Sequence, residues 1–363
     1  MHVSRLVIGD VSVPLLRPFK TVLRTVTSID DTLIRLETDT GLVGWGEAPA
    51  TPVITGDTRG GILDGLVIAA KAIEGLHLID DWDAVQTRLA NCMVHNTSAK
   101  AAIDIALHDL VAQAAGKPVY DWLGGRVRDH LVTDLTISVG DVDAMIEESV
   151  EGVERGFDTL KVKVGTDAEL DIVRLTEIRN AVGPDVALRL DANQGWTADE
   201  AIRVITALED AGIIAELVEQ PVRAHDFDGL KRVTDNVTTP ILADEAVFSA
   251  HDAERILRER AADLINIKLM KTGGIHQARK IVALAEQAGV ECMLGAMMET
   301  AVSITAAAHL AMTAPCITMI DLDPPLLCSE NPVQGGMVWD GAVITLPDTP
   351  GLGITDVEGA RFA

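Results

Sequence analysis

The sequence predicts a closed (β/α)8 barrel preceded by an α+β unit, and three observations carry that reading. Eight short apolar runs recur at roughly 20 to 30 residues, the spacing that βα units require: "LVTDLTISV", "TLKVKV", "VALRLDAN", "AELVEQP", "PILADE", "LINIKL", "ECMLGA" and "TMIDLD". Helical stretches such as "DAELDIVRLTEIRNAVG" and "TADEAIRVITALEDAG" separate the early ones. No G-x-G-x-x-G fingerprint follows an early strand, so a doubly wound open sheet is the weaker alternative.

Taken in order, "VSRLVIGDVSVPLL" and "DDTLIRLETDTGLVGWGEA" carry the β-branched residues of an antiparallel meander. Between them "RPFKTVLRTVTS" is basic and poorly periodic and reads as a loop. The pattern then turns helical, and "SAKAAIDIALHDLVAQAAG" has an apolar stripe that stops at Gly116 and Pro118. "LGGRVRDHL" reads as a linker. The expected boundaries are an α+β domain over residues 1–125, the barrel over 126–323, and a Gly- and Pro-rich tail over 324–363 that packs back on the first domain.

With 363 residues, 48% of them apolar, the chain has enough material for a large core. Thirty Lys plus Arg against 55 Asp plus Glu give a formal charge of -25, which disfavours nucleic acid or an anionic membrane as partner. Cys92, Cys292, Cys316 and Cys328 have no paired metal-ligand spacing, and the N-terminus lacks a signal-peptide pattern. A cytoplasmic enzyme is expected, assembled as a homo-oligomer.

Charged residues fall near the carboxyl ends of the predicted strands: Lys163, Asp191, Glu219, Asp244, Lys268 and Asp321. From Lys163 to Lys268 the intervals are 28, 28, 25 and 24 residues, each about one βα unit. Barrel active sites form at that end, so the spacing gathers these groups in one mouth. Asp191, Glu219 and Asp244 offer hard oxygen donors with no His or Cys nearby, a set that suits Mg2+ with Mn2+ as a substitute. Lys163 and Lys268 flank them on either side, a layout for proton transfer at a carbon held between two amines. Lys161 lies two residues before Lys163 and so shares its face, where its charge supports a depressed pKa for Lys163. Structural salt bridges between these lysines and carboxylates are the alternative reading. His95, His108, Met293, Met297 and Met298 read as packing or surface residues.

The strings "LKVKVG", "LRLDANQGW", "ELVEQP", "ILADEAV", "INIKLMKTGG" and "DLDPPLL" resemble the muconate-lactonising-enzyme subgroup of the enolase superfamily, most closely its dipeptide epimerases. The resemblance implies a modified (β/α)8 TIM barrel with an α+β capping domain formed by the N-terminal segment and the C-terminal tail. It implies Mg2+ on Asp191, Glu219 and Asp244, with Asn193 and Glu245 at accompanying polar positions. Lys163 and Lys268 match the two bases and Lys161 their non-abstracting partner. Asp321 and Asp323 match the pair that binds a dipeptide's free ammonium group. Arg24 matches the arginine that meets an acidic side chain, with Arg17 and Lys20 as nearby alternatives. Thr136 and Glu299 are further candidates for positioning substrate, or for satisfying backbone groups. The implied activity is epimerisation of the C-terminal residue of a dipeptide, such as L-Ala-L-Glu to L-Ala-D-Glu. N-acylamino-acid racemisation, muconate-type cycloisomerisation and ligand binding without turnover are the alternatives.

Overall fold

Three N-terminal strands, β1 (Val3–Lys20), β2 (Thr25–Thr38) and β3 (Val43–Pro49), pair antiparallel in a computed structural model that describes residues 1–362. The basic stretch expected to be a loop is mostly strand. Phe19 pairs with Val26 and Lys20 with Thr25, which leaves a turn of four residues, 21–24. A register shift between Pro14 and Phe19 resets the ladder, so the β-branched residues of "TVTS" re-enter it. The Thr21 hydroxyl accepts from the backbone of Leu23 and Arg24 and fixes the turn.

Helices α1 (Arg59–Ala72), α2 (Trp82–Asn91) and α3 (Thr97–Ala114) cover one face of this sheet. The sequence pattern of α3 is a stripe, yet Ser98 to Ala112 are buried without interruption. This helix lies between the cap sheet and the barrel, and its alanines permit close packing on both sides. A Cβ on Gly46 would fall 2.1 Å from the Ala102 carbonyl, so only glycine lets β3 approach this closely. Polar residues on α3 are used for ties: Asp109 accepts from the backbone of Trp45 and Leu352, and Asp104 from that of His276.

β4 (Leu131–Val132) precedes the eight parallel strands β5 (Leu135–Ile137), β6 (Thr159–Lys163), β7 (Ala187–Asp191), β8 (Leu217–Glu219), β9 (Ile241–Ala243), β10 (Leu264–Lys268), β11 (Cys292–Gly295) and β12 (Ile317–Asp321). They form one sheet in chain order, with each strand laddered to the next. The run expected as the first barrel strand bends at residues 133–134. Its first part, β4, pairs instead with Val343–Thr345 of the tail. Leu217, Leu242, Met293 and Met319 fill the barrel interior below the site.

Single bonds rather than a ladder join β5 to β12. Asp134 N donates to Ile320 O, Leu322 N to the Thr133 hydroxyl, and Thr136 N to Asp323 Oδ2. The barrel is therefore nearly closed, with one seam held partly by side chains. After β12 the tail returns to the cap: Phe362 pairs with Gly9, Cys328 bridges Leu15, and Gly351 bridges Pro118.

Candidate active site

The strand register puts the charged residues side by side. Lys163 is the partner of Asp191, Asp191 of Glu219, and Lys268 of Gly295, which in turn faces Asp321; Asp244 follows β9 by one residue. Gly295 leaves room there, because a Cβ would lie 2.9 Å from Asn266 and 3.1 Å from Asp321 Oδ2. All these side chains are buried. The cavity above them is lined by Phe19, Thr21, Arg24 and Ile54 of the cap, and by Thr136, Lys161, Lys163, Asn193, Lys268, Asp321 and Asp323 of the barrel.

Lysines and carboxylates interleave. Lys163 Nζ lies 2.5 Å from Asp191 Oδ2, and Lys268 Nζ lies 2.9 Å from Asp244 Oδ2. Lys161 Nζ reaches Glu219 and Asp321 at 2.6 Å each and Asp191 at 3.3 Å. Lys161 therefore serves as a hub between the central carboxylates and the end of β12. Lys163 also sits 5.7 Å from the centre of the Phe19 ring, so the cap supplies an apolar wall over one amine.

Burial opposes every charge in this mouth, and the partners decide which groups keep theirs. Lys163, Lys161 and Lys268 overcome burial at Asp191 and bring it down to about 2. Lys268 and Lys271 likewise hold Asp244 below the usual carboxylate range. Burial and the adjacent Asp191 push Glu219 up to about 7 despite Lys161, and burial with Asp244 and Asp191 pushes Glu245 up to about 8. Burial works against the ammonium of Lys268, but Asp244 and Glu219 outweigh it and raise this group. Lys161 is raised too, as Asp321, Glu219 and Asp191 outweigh its burial. The carboxylates that face Lys161 and Lys268 thus hold both as ammonium groups.

The donor set fits a hard divalent cation. Glu219 Oε2 and both oxygens of Asp244 meet ammonium groups at ion-pair distance but accept no well-directed hydrogen bond, so their lone pairs are available in a buried, anionic place. A second acidic group lies at the seam, where Asp134, Asp321 and Asp323 each bring an oxygen within 4.8 Å of the others. Asn193 N caps Asp191 Oδ1, and Asn193 Nδ2 lies 3.3 Å from Glu245 Oε1.

Several residues in this site were missed by the sequence reading. Lys271 is fully buried, 2.5 Å from Asp244 Oδ1, and donates to the carbonyls of Asp244 and Asn266. Asn266 Nδ2 donates to Glu219 Oε1. Gln220, at φ +36°, accepts from the backbone of Asp244 and Ala246 and locks the β8 end to the β9 end. Asn266, Arg189 and Asp134 each precede an identified inward residue by two, and the alternation that linked Lys161 to Lys163 would have found them.

Arg24 lines the cavity half-buried, and among the described residues no carboxylate pairs with it within 4 Å. Arg17 instead pairs with Glu151. Of the two roles expected for Glu299, its contacts match the second, satisfying local donors. Its carboxylate accepts from Met297 N at 2.6 Å and Ser303 Oγ at 2.5 Å, outside the cavity lining, and burial with nearby Glu47 raises it to about 7. Satisfying local donors determines its orientation. Glu47 of the cap accepts from the backbone and hydroxyls of Thr300 and Ser303 and so fastens the cap to the start of the barrel helix Ala301–Ala311.

A family model described as "Enolase C-terminal domain-like" matches residues 144–358, and one described as "Mandelate racemase / muconate lactonizing enzyme, N-terminal domain" matches residues 4–124. The chain belongs to this mandelate racemase and muconate-lactonising family of the enolase superfamily. Within it, the chain is 53% identical over 360 residues to the L-Ala-D/L-Glu epimerase of Clostridium acetobutylicum, covering 99% of this chain and 100% of the relative. Its structure is similar to a substrate-liganded complex of the L-Ala-D/L-Glu epimerase from Bacillus subtilis, with TM-score 0.96 and 47% identity over 99% of this chain and 100% of that one. It is also similar to a dipeptide epimerase from Enterococcus faecalis complexed with Mg and L-Leu-L-Tyr, with TM-score 0.93 and 43% identity over 98% of this chain and 100% of that one. No helix among the described residues is long and apolar enough to cross a membrane.

Proposed function

We propose that this protein is a magnesium-dependent dipeptide epimerase that inverts the α-carbon of the C-terminal residue, with L-Ala-L-Glu and L-Ala-D-Glu as its substrates. The observation that carries this reading is the placement of Lys163 on β6 and Lys268 on β10, with the carboxylates at the ends of β7 and β8 and just after β9 between them. Binding a ligand needs no amines on two sides of it, whereas inverting a carbon by removing and returning a proton does.

Asp191, Glu219 and Asp244 would hold Mg2+. Bound there, the ion would supply positive charge to the substrate carboxylate and so offset the negative charge that develops as the α-proton departs. Lys163 and Lys268 exchange the proton at the α-carbon, one taking it as a neutral amine and the other delivering one as an ammonium from the opposite face. Lys161 stays charged among Asp191, Glu219 and Asp321 and fixes the carboxylates. Asp321 and Asp323 receive the free ammonium of the N-terminal residue. Arg24, which pairs with no carboxylate within 4 Å among the described residues, meets the side-chain carboxylate of the C-terminal Glu.

Incubating the protein with Mg2+, D2O and a panel of L,L-dipeptides tests the function directly. Solvent deuterium is expected at the C-terminal α-carbon, together with inversion. Exchange only with N-acylated amino acids would transfer the assignment to racemisation of that class.

A further inference from the structure

We propose that Asp134 is a third carboxylate of the ammonium-recognition site, acting with Asp321 and Asp323 to set the charge that selects a free amine. The proposal rests on the dipeptide-epimerase reading above and names a residue that neither the motifs nor the strand-end pattern had marked.

Asp134 is fully buried, at the seam where β5 meets β12 without a ladder. One oxygen from each of Asp134, Asp321 and Asp323 lies within 4.8 Å of the other two. Asp134 Oδ1 accepts no hydrogen bond, an expensive state for a buried carboxylate unless a further donor arrives. Asp321 and Asp323 line the cavity and Asp134 does not, so an ammonium held by that pair meets the charge of Asp134 rather than this oxygen.

Charge counting gives the cluster its purpose. Two cations touch the three carboxylates: Lys161 Nζ at 2.6 Å from Asp321 Oδ2, and Arg189 Nη1 at 2.9 Å from Asp134 Oδ2. Burial and the nearby Asp321 raise Asp134 well above the usual carboxylate range, so an arriving ammonium draws out its charge; the three ionised carboxylates then exceed the two cations by one negative charge, the complement of that ammonium. Both cations are shared, Lys161 with Asp191 and Glu219 and Arg189 with Glu216, so the cluster is neutralised no further than this count. With Asp134 removed from the count the charges cancel, and a buried neutral pocket has little to offer a cation. Arg189 also donates to Ile320 O, next to Asp321, so it holds Asp134 against the strand that carries the other two carboxylates.

The test uses Asp134→Asn in the full chain with Mg2+, assayed on L-Ala-L-Glu and on its N-acetyl derivative. The variant is expected to raise KM for the free-amine dipeptide about tenfold or more, to affect kcat less, and to erase most of the preference over the acetylated compound. Adding Arg189→Gln restores the count of one negative charge, so the double variant should recover much of that loss in KM. A purely structural ion pair also predicts recovery in the double variant, because the unpaired charge is gone, but it predicts parallel changes for the free-amine and acetylated substrates and no change in the preference between them. Should Asp134→Asn not fold, the same comparison is made with Asp134→Glu, which keeps the charge and should keep the preference. Unchanged KM and preference in a folded Asp134→Asn overturn the proposal, as does a second equivalent of Mn2+ that the wild type binds and this variant loses. Failure of the wild type to turn over any free-amine dipeptide overturns the underlying function instead, and this proposal with it.

Discussion

Lys163 Nζ lies 2.5 Å from Asp191 Oδ2, across neighbouring strands whose terminal residues are register partners. Lys268 makes the matching contact with Asp244 at 2.9 Å on the other side of the carboxylate row. In each pair a candidate proton carrier faces a candidate metal ligand, so a cation that takes the carboxylate frees the amine beside it. Lys163→Ala and Lys268→Ala should each lower epimerisation by at least about a hundredfold. Each variant should still wash deuterium into one epimer, a different one for each lysine, because the remaining amine faces one side of the carbon. Chirality and mass measured separately on the two epimers check this, and full epimerisation by either variant would rule out the two-amine scheme.

Chelation should abolish turnover, and Mg2+ or Mn2+ should restore it, because the oxygen donor set suits both ions. Activity that survives dialysis against a chelator, with the bound metal measured as absent, would contradict the role of Asp191, Glu219 and Asp244.

The pH dependence of substrate binding follows from Asp323, which burial and adjacent Asp321 raise to about 6. Its proton must leave before it can attract an ammonium group. KM for a free-amine dipeptide should therefore rise as pH falls through about 6, and rise again toward about pH 8 as the substrate's own ammonium loses its proton. Asp323→Asn should show a high KM at every pH and no inflection at about 6. Steady-state titration from pH 5 to about 8 covers the range.

Arg24 accounts for acidic side-chain preference. Arg24→Met should reduce kcat/KM for L-Ala-L-Glu by about ten- to a hundredfold, the value of a charge-assisted contact. Turnover of L-Ala-L-Leu should change little. An equal loss on both dipeptides would assign Arg24 to the fold of the turn at residues 21–24 rather than to selection.

Stability should depend on Glu47, a fully buried carboxylate that accepts from four donors at Thr300 and Ser303. Glu47→Ala leaves those donors unpaired across the junction of cap and barrel, with an expected cost of at least about 3 kcal/mol. Thermal unfolding monitored with and without Mg2+ measures it.

The barrel was legible because a βα unit has a characteristic length, and the charges at 163, 191, 219, 244 and 268 keep time with it. The mouth was legible for the same reason. What escaped was the layer beneath it. Asp134, Arg189 and Asn266 each sit two residues before an inward-facing position, where period-two alternation points them into the barrel, yet each reads alone as an ordinary polar residue. Lys271 escaped because it follows β10 in the short helix Leu269–Thr272, where helical rather than strand geometry directs it at Asp244. The strand extension through Lys20 was hidden by Pro14 and the register shift after it, which interrupt the alternation that marks a strand. Glu299 was left between two roles because a sequence window carries no sign of which donors surround a carboxyl, and here Met297 N and Ser303 Oγ claim it.

The central claim is proton exchange at a single carbon between two lysines, and its most direct measurement is the reaction of L-Ala-L-Glu with the Mg2+-loaded protein in D2O. The account predicts deuterium at the α-carbon of Glu alone, appearing with formation of L-Ala-D-Glu and absent after metal removal. No deuterium in the recovered dipeptide, or deuterium in the alanine residue, would contradict it.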